Sequence, residues 1–290
     1  MTEAETKRFI ALPIALALVA GLAYAGSQGG AVVGTIPLFS LCVALAVAIQ
    51  WVAFVPAYLM RTEHFFDLTG SLTYLTVIGV AIGVGPPADA RSGLLAVLVA
   101  VWAARLGVFL FGRIQKAGSD RRFDEIKTSP IRFFGVWTIQ GVWVCFTMGA
   151  ALAAIASQRS VPLGFFAWAG LALWIAGFGI EVVADRQKGS FRAQPENKGR
   201  FIDSGLWAWS RHPNYFGEIL LWIGVAVIAA PALQGWQYVT LISPVFVTLL
   251  LTKVSGIPLL EQRADEKWGG DPGYEAYKAS TPVLVPRPPS

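Results

Sequence analysis

Eight apolar runs, near residues 8 to 26, 36 to 60, 67 to 85, 93 to 113, 131 to 157, 162 to 185, 214 to 232 and 236 to 256, occupy most of the chain. Each is long enough to cross ~30 Å of hydrocarbon as a helix. No water-soluble domain of 290 residues needs so many, and the composition agrees, with 55% hydrophobic and 14% charged residues. The expected fold is all-α: a polytopic membrane helix bundle of seven to eight transmembrane helices. The first run, in "KRFIALPIALALVAGLAYAG", competes with a cleaved signal peptide. Its bilayer-like length and the apolar run close behind it favour a retained helix. Cys42 and Cys145 both fall inside apolar runs, so neither a disulfide framework nor a zinc site is supported, and no metal is expected.

The net charge of +5 finds its explanation in topology. With the N-terminus cytoplasmic, the connections 61 to 66, 113 to 132 and 186 to 213 and the tail from 253 are cytoplasmic too. Of the 23 Lys and Arg, all but Arg91, Arg105 and Arg159 then lie on that side, as the positive-inside rule requires. The basic excess therefore needs no nucleic acid. The chain shows no internal repeat or low-complexity tract, and its end, "PVLVPRPPS", reads as a frayed terminus.

Ionisable groups inside spans cost about 2.5–3.5 kcal/mol each at a helix centre, so each asks for a partner or a role. Four stand out: Asp67, Arg105, Glu181 and Glu218. Asp67 opens the third span, either as a helix cap or with Tyr74, two turns on, lining a cavity on one helix face. Arg105 is too deep to snorkel and has Trp102 one turn earlier; an ion pair with Asp67 is its structural reading.

The connection before the seventh span is denser in polar groups. Glu181, Asp185, Lys188 and Arg192 are spaced to form one stripe if the sixth helix runs on into water, and Arg200 and Arg211 follow. Guanidinium forks concentrated at a helix mouth suit phosphate oxygens, of a nucleotide or of an acidic membrane lipid. In "SRHPNYFGE", Pro213 suits a first helical turn. Asn214 and Glu218 share a face that can read a ligand offering both donor and acceptor, such as a carboxamide, beside His212 and Tyr215. The tail returns Glu261, Tyr274 and Tyr277 to the same side, where the two tyrosines can fold over the 186 to 213 loop.

"SRHPNYFGE" together with "LLEQR" and "GYEAYKASTPVLVP" resembles the steroid 5-alpha-reductase superfamily, particularly its bacterial membrane members. The likeness runs from about residue 60 to the end. It divides the chain into N-terminal transmembrane helices, 1–60, partly outside the resemblance, and a catalytic membrane domain, 61–290, with cytoplasmic cofactor loops. Similar Arg-His-Pro-x-Tyr text occurs in sterol C14-reductases and isoprenylcysteine carboxyl methyltransferases. The resemblance implies NADPH as cofactor, with Asp185, Arg192, Arg200, Asn214 and Glu218 on family cofactor positions. Arg211, His212, Tyr215, Glu261, Tyr274 and Tyr277 are expected around them.

Asp67 falls where the family has the Glu that helps hold a steroid 3-ketone, and Trp102 where it has a substrate-contacting Tyr. Tyr74 then stands in as a second donor, with Asp67, Trp102 and Arg105 at the substrate. The implied reaction is NADPH-dependent reduction of the 4,5 double bond of a 3-oxo-4-ene steroid or related enone lipid. A membrane methyltransferase using S-adenosylmethionine is the alternative. The implied setting is a bacterial inner membrane with both termini cytoplasmic.

Overall fold

The computed structural model describes residues 3–120 and 123–289, with side chains for 12–115, 118–120 and 123–289. Arg121 and Arg122, and the side chains of Lys7, Arg8 and Lys116, which entered the charge count, lie outside the described residues. Among the described residues seven helices are long and apolar enough to cross a membrane, and the protein is an integral multi-pass membrane protein. The N-terminal helix α1, Glu3–Ser27, adds a shorter described apolar stretch, Leu12–Ser27. Two compact units make up the chain: residues up to Ala167 with Ile228–Ser243, and Trp168–Val227 with Pro244–Ser290.

In the first unit, α1 leads through a small antiparallel pair, β1 (Val32–Val33) and β2 (Ile36–Pro37), into α2, Leu38–Leu59. Then come α3, Phe66–Val84, α4, Ala90–Ala117, and α5, Pro130–Ala156. Helix α5 is the hub. Pro130 suits its first turn, and Ser129 caps it by accepting from the Arg132 backbone N–H. Its second half is almost wholly buried and rich in Gly and Ala, and a Cβ on Gly141 would lie 3.2 Å from Val47 Cα of α2. Small residues let backbones approach closely, which matters in lipid, where apolar side chains gain nothing by leaving one apolar phase for another.

At one end of this unit Phe123, Phe133 and Trp137 form an aromatic core with Phe54, Tyr58, Phe65 and Phe66. Beside it the buried Glu63 carboxylate accepts from the Asp120 backbone N–H at 2.9 Å and from Lys127 Nζ at 3.0 Å.

Arg91 carries more than its place in a charge count indicates. It is 2% exposed, and its guanidinium donates from Nε to Val161 O (3.2 Å), from Nη1 to Ile228 O (2.5 Å) and from Nη2 to Pro162 O (2.7 Å). Two chain segments distant in sequence are thereby tied to the start of α4, which Asp89 caps through the Ser92 N–H.

The second unit contains most of α6, Phe165–Ala193, and of α7, Pro213–Ala229. These two helices pack backbone on backbone. A Cβ on Gly177 would sit 2.5 Å from Gly217 O, and one on Gly217 2.7 Å from Glu181 N; a Cβ on Gly224 would sit 2.5 Å from Gly170 O. Only glycine permits this approach, and the seven-residue spacing of Gly217 and Gly224 keeps both on one face of α7.

The last apolar run, expected as one helix over 236 to 256, is segmented. A 3-10 turn, Gly235–Ile242, precedes α8, Ser243–Leu249, which passes into a π-turn, Leu250–Val254, and breaks at Gly256 before α9, Ile257–Trp268. Pro244 lacks an N–H for a continuous ladder, and a Cβ on Gly256 would lie 2.9 Å from Tyr215 Cε2. Helix α10, Pro272–Ser280, is capped by Asp271. The end expected to fray is held instead: Arg211 N donates to Pro282 O and Arg287 N to Trp209 O, both at 2.9 Å, and Ser210 Oγ donates to Leu284 O at 2.9 Å.

Candidate functional site

The glycine crossing sets the site's geometry. Because Gly217 rests on the backbone of Glu181, the polar residues one turn along each helix are brought together. Asp185 and Glu181 are buried, and Asn214 Nδ2 donates to Asp185 Oδ1 at 3.3 Å. Glu218 is half-buried on the same helix as Asn214.

The loop between the helices is fastened to α6 by Trp207, whose Nε1 donates to Ala184 O at 3.0 Å and whose ring lies 4.1 Å beneath Lys188 Nζ. Gly205, at φ +61, lets Gln187 reach the Leu206 N–H, because any Cβ there would strike the Gln187 amide. Arg192, Lys198 and Arg200 are exposed along this segment. A cleft of about 350 Å³ lined by Gln187, Ser190, Phe191, Gln194, Ile202, Ser204 and Gly205 lies nearby. At 100° per residue it faces away from Asp185 and Arg192, so those two side chains do not open into it.

The tail folds over this loop, as the sequence leads one to expect of Tyr274 and Tyr277. Phe201 packs among Trp268, Tyr274 and Tyr277 with ring centroids 5.4–6.0 Å apart, and Trp268 Nε1 donates to Gly199 O at 2.5 Å. Tyr277 donates its hydroxyl to Trp207 O (2.7 Å) and Tyr274 to Asp265 Oδ1 (2.9 Å). Burial pushes both phenols above their ordinary pKa, so both stay protonated as donors. The structure thus gives each tyrosine an internal role in closing the tail over the loop.

Arg211 and His212 meet Glu261. Arg211 Nη2 is 2.9 Å from Glu261 Oε2, while Nη1 donates to Lys278 O at 2.5 Å and Thr281 O at 3.5 Å. His212 Nε2 is 2.7 Å from Glu261 Oε1, and the ring stacks on Tyr215 at 5.7 Å. Burial holds the imidazole below its ordinary pKa despite the carboxylate, so Nε2–H of the neutral ring is the donor. Among the described residues, buried Arg211 Nε and His212 Nδ1, a donor and an acceptor on adjacent residues, have no hydrogen-bond partner. Arg211, expected to meet phosphate, spends both Nη groups on the chain itself.

The remaining candidates lie in the first unit. Asp67 forms an ion pair with Arg113 at 3.6 Å, and the Arg105 guanidinium lies 5.2 Å from the Phe109 ring centroid. Tyr74 and Trp102 are both buried and meet edge to face, 5.2 Å apart at 89°. No group of three or more His, Cys, Asp or Glu suited to a metal occurs among the described residues. Sequence reasoning missed Ser210, Gln187 and the crossing glycines. Gly217 and Gly224, one heptad apart, were the available signal for the last of these.

Two curated relatives share part of their length with the chain. A protein of Schizosaccharomyces pombe described as uncharacterized is 24% identical over 235 residues, covering 69% of this chain and 64% of its own. Bovine 3-oxo-5-alpha-steroid 4-dehydrogenase 1 is 33% identical over 69 residues, 24% of this chain and 26% of its own. The chain thus covers less than two thirds of the length of either. No solved structure matches it. A family model does, over residues 53–281, from within α2 to the end of α10, and the chain belongs to that family, described as a protein of unknown function, DUF1295.

Proposed function

We propose that the protein is a membrane oxidoreductase that uses NADPH to reduce the 4,5 double bond of a 3-oxo-4-ene steroid or related enone lipid. The observation that carries the reading is the hydrogen bond between half-buried Asn214 and buried Asp185 at the α6–α7 crossing, with exposed Arg192, Lys198 and Arg200 in the chain between them. Neither Lys198 nor Arg200 pairs with a carboxylate among the described residues, and their loop is pinned by Phe201 and Trp268, so two cations stand ready on a fixed frame for phosphate oxygens. The partial likeness to a steroid dehydrogenase supports the same reading.

Bound NADPH supplies a hydride. In this reading Arg192 and Arg200 hold its phosphates, and Asn214, oriented by Asp185, reads its carboxamide, with Glu218 beside it. On the substrate side the reading assigns Asp67 and, as second donor, Tyr74 to the ketone oxygen, where negative charge develops.

The test follows NADPH absorbance with purified protein and a panel of 3-oxo-4-ene steroids. Arg200→Ala should raise the KM for NADPH about tenfold with little change in that for steroid. Equal effects on both would count against the assignment. Asp67→Asn and Tyr74→Phe should each lower kcat, by up to about a hundredfold, with little change in the KM for NADPH. Full activity in either variant would remove that residue from the donor role.

A further inference from the structure

The C-terminal segment is held against the stretch Trp209–Arg211 by the bonds with Trp209 O, Ser210 Oγ and Arg211 N. Val283 and Val285 are 40% and 58% exposed, and Trp209, bonded through its carbonyl to Arg287 N, is 42% exposed. An exposed Trp and two Val beside an Arg are a poor surface for bulk water.

What covers this face follows from its level in the unit. Tyr215, in the first turn of α7, touches Gly256, where the last membrane-crossing stretch breaks, and Val254 just before that break is 65% exposed and apolar. Glu261, which holds Arg211 and His212, is five residues further along, about 7 Å at helical rise. The polar layer on each side of the hydrocarbon core is itself about 5–8 Å deep. With Glu261 at most that far from the break, Arg211 and the tail bonded to it lie near the end of the crossing stretch, the level at which a headgroup layer favours Trp and offers phosphate to Arg.

We propose that Trp209, Val283, Val285 and Arg287 form a contact face for the phospholipid headgroup layer, so that the C-terminal segment rests on the membrane surface and anchors the Ser210–His212 stretch to it. The role is independent of which cofactor the protein takes.

The test uses the full chain in nanodiscs of phosphatidylcholine and phosphatidylglycerol, with a nitroxide on Val285→Cys and, as the water-exposed reference, on Glu266→Cys of α9. The native Cys42 and Cys145 are buried, and unsubstituted protein carried through labelling gives the blank. Relaxation at position 285 should be stronger with lipid-dissolved oxygen than with a water-soluble nickel complex, and the order should reverse at 266. Replacing Arg287→Glu should shift the 285 label toward the nickel complex. Identical behaviour of the two labels would overturn the proposal, as would a 285 label indifferent to the Arg287 substitution. Val285 and Arg287 lie on the surface, so these variants keep the fold.

Discussion

Arg91 and Arg211 each use a guanidinium to bind main-chain carbonyls together, one in each compact unit. Around Arg91 all three nitrogens are engaged, with Val161, Ile228 and Pro162, and the side chain is almost inaccessible. Around Arg211 the two Nη groups are engaged with Glu261, Lys278 and Thr281, but among the described residues buried Nε has no partner, and neither has Nδ1 of His212. A buried polar group left unpaired costs about 1–3 kcal/mol, so it persists where something else compensates. The complete cage is architecture. The incomplete one lies just before Asn214 in the chain, where a ligand site is proposed. Full satisfaction marks a residue that holds the fold, and a residual donor or acceptor marks one available to a second partner.

The largest effect is expected at the complete cage. Arg91→Leu strands three carbonyls and should destabilise the protein by about 4 kcal/mol or more, seen as loss of folded material in detergent and a steep fall in the unfolding midpoint. Near-normal stability would show that the three bonds carry little and would remove one side of the comparison. Arg211→Leu should cost less, about 2 kcal/mol, because its surroundings are partly solvated and Glu261 keeps His212. It should also raise susceptibility to proteolysis within residues 278–289. If the KM for NADPH rises far more than stability falls, Arg211 contacts the cofactor after all.

The smallest effect is that of pH. Burial depresses the His212 pKa, so the neutral ring's contribution to stability is complete above the unfolded value of about 6.5 and is lost as pH falls below it. The unfolding midpoint should drop between pH 7.5 and 5.5 by an increment that His212→Gln abolishes. An equal drop in both proteins would place the titration elsewhere.

The membrane bundle was legible because apolar runs of bilayer length admit few other readings, and six of the expected spans match helices closely. The segmented seventh crossing was less so. Its signals, Gly235, Pro244, Gly256 and Pro258, are punctuation inside a run whose hydropathy stays high, and hydropathy does not register a break that tertiary contact with Tyr215 enforces. The convergence of Asp185 with Asn214 was foreseeable from chemistry, but its cause lay in the glycines between them. Arg91 was misjudged for the opposite reason. Counting charges by side of the membrane treats each basic residue as solvated, and this one is bound by carbonyls instead. The tail's adherence was hidden because it depends on backbone hydrogen bonds, which composition does not reveal.

At the α6–α7 crossing there are no side chains between the two backbones, and hence no rotamers through which a distant change can be absorbed or relayed. Such a joint has a single seating. Residues outside it are free to diversify, in size, charge or chemistry, while the spacing of Asp185 from Asn214 stays what two touching peptide chains make it.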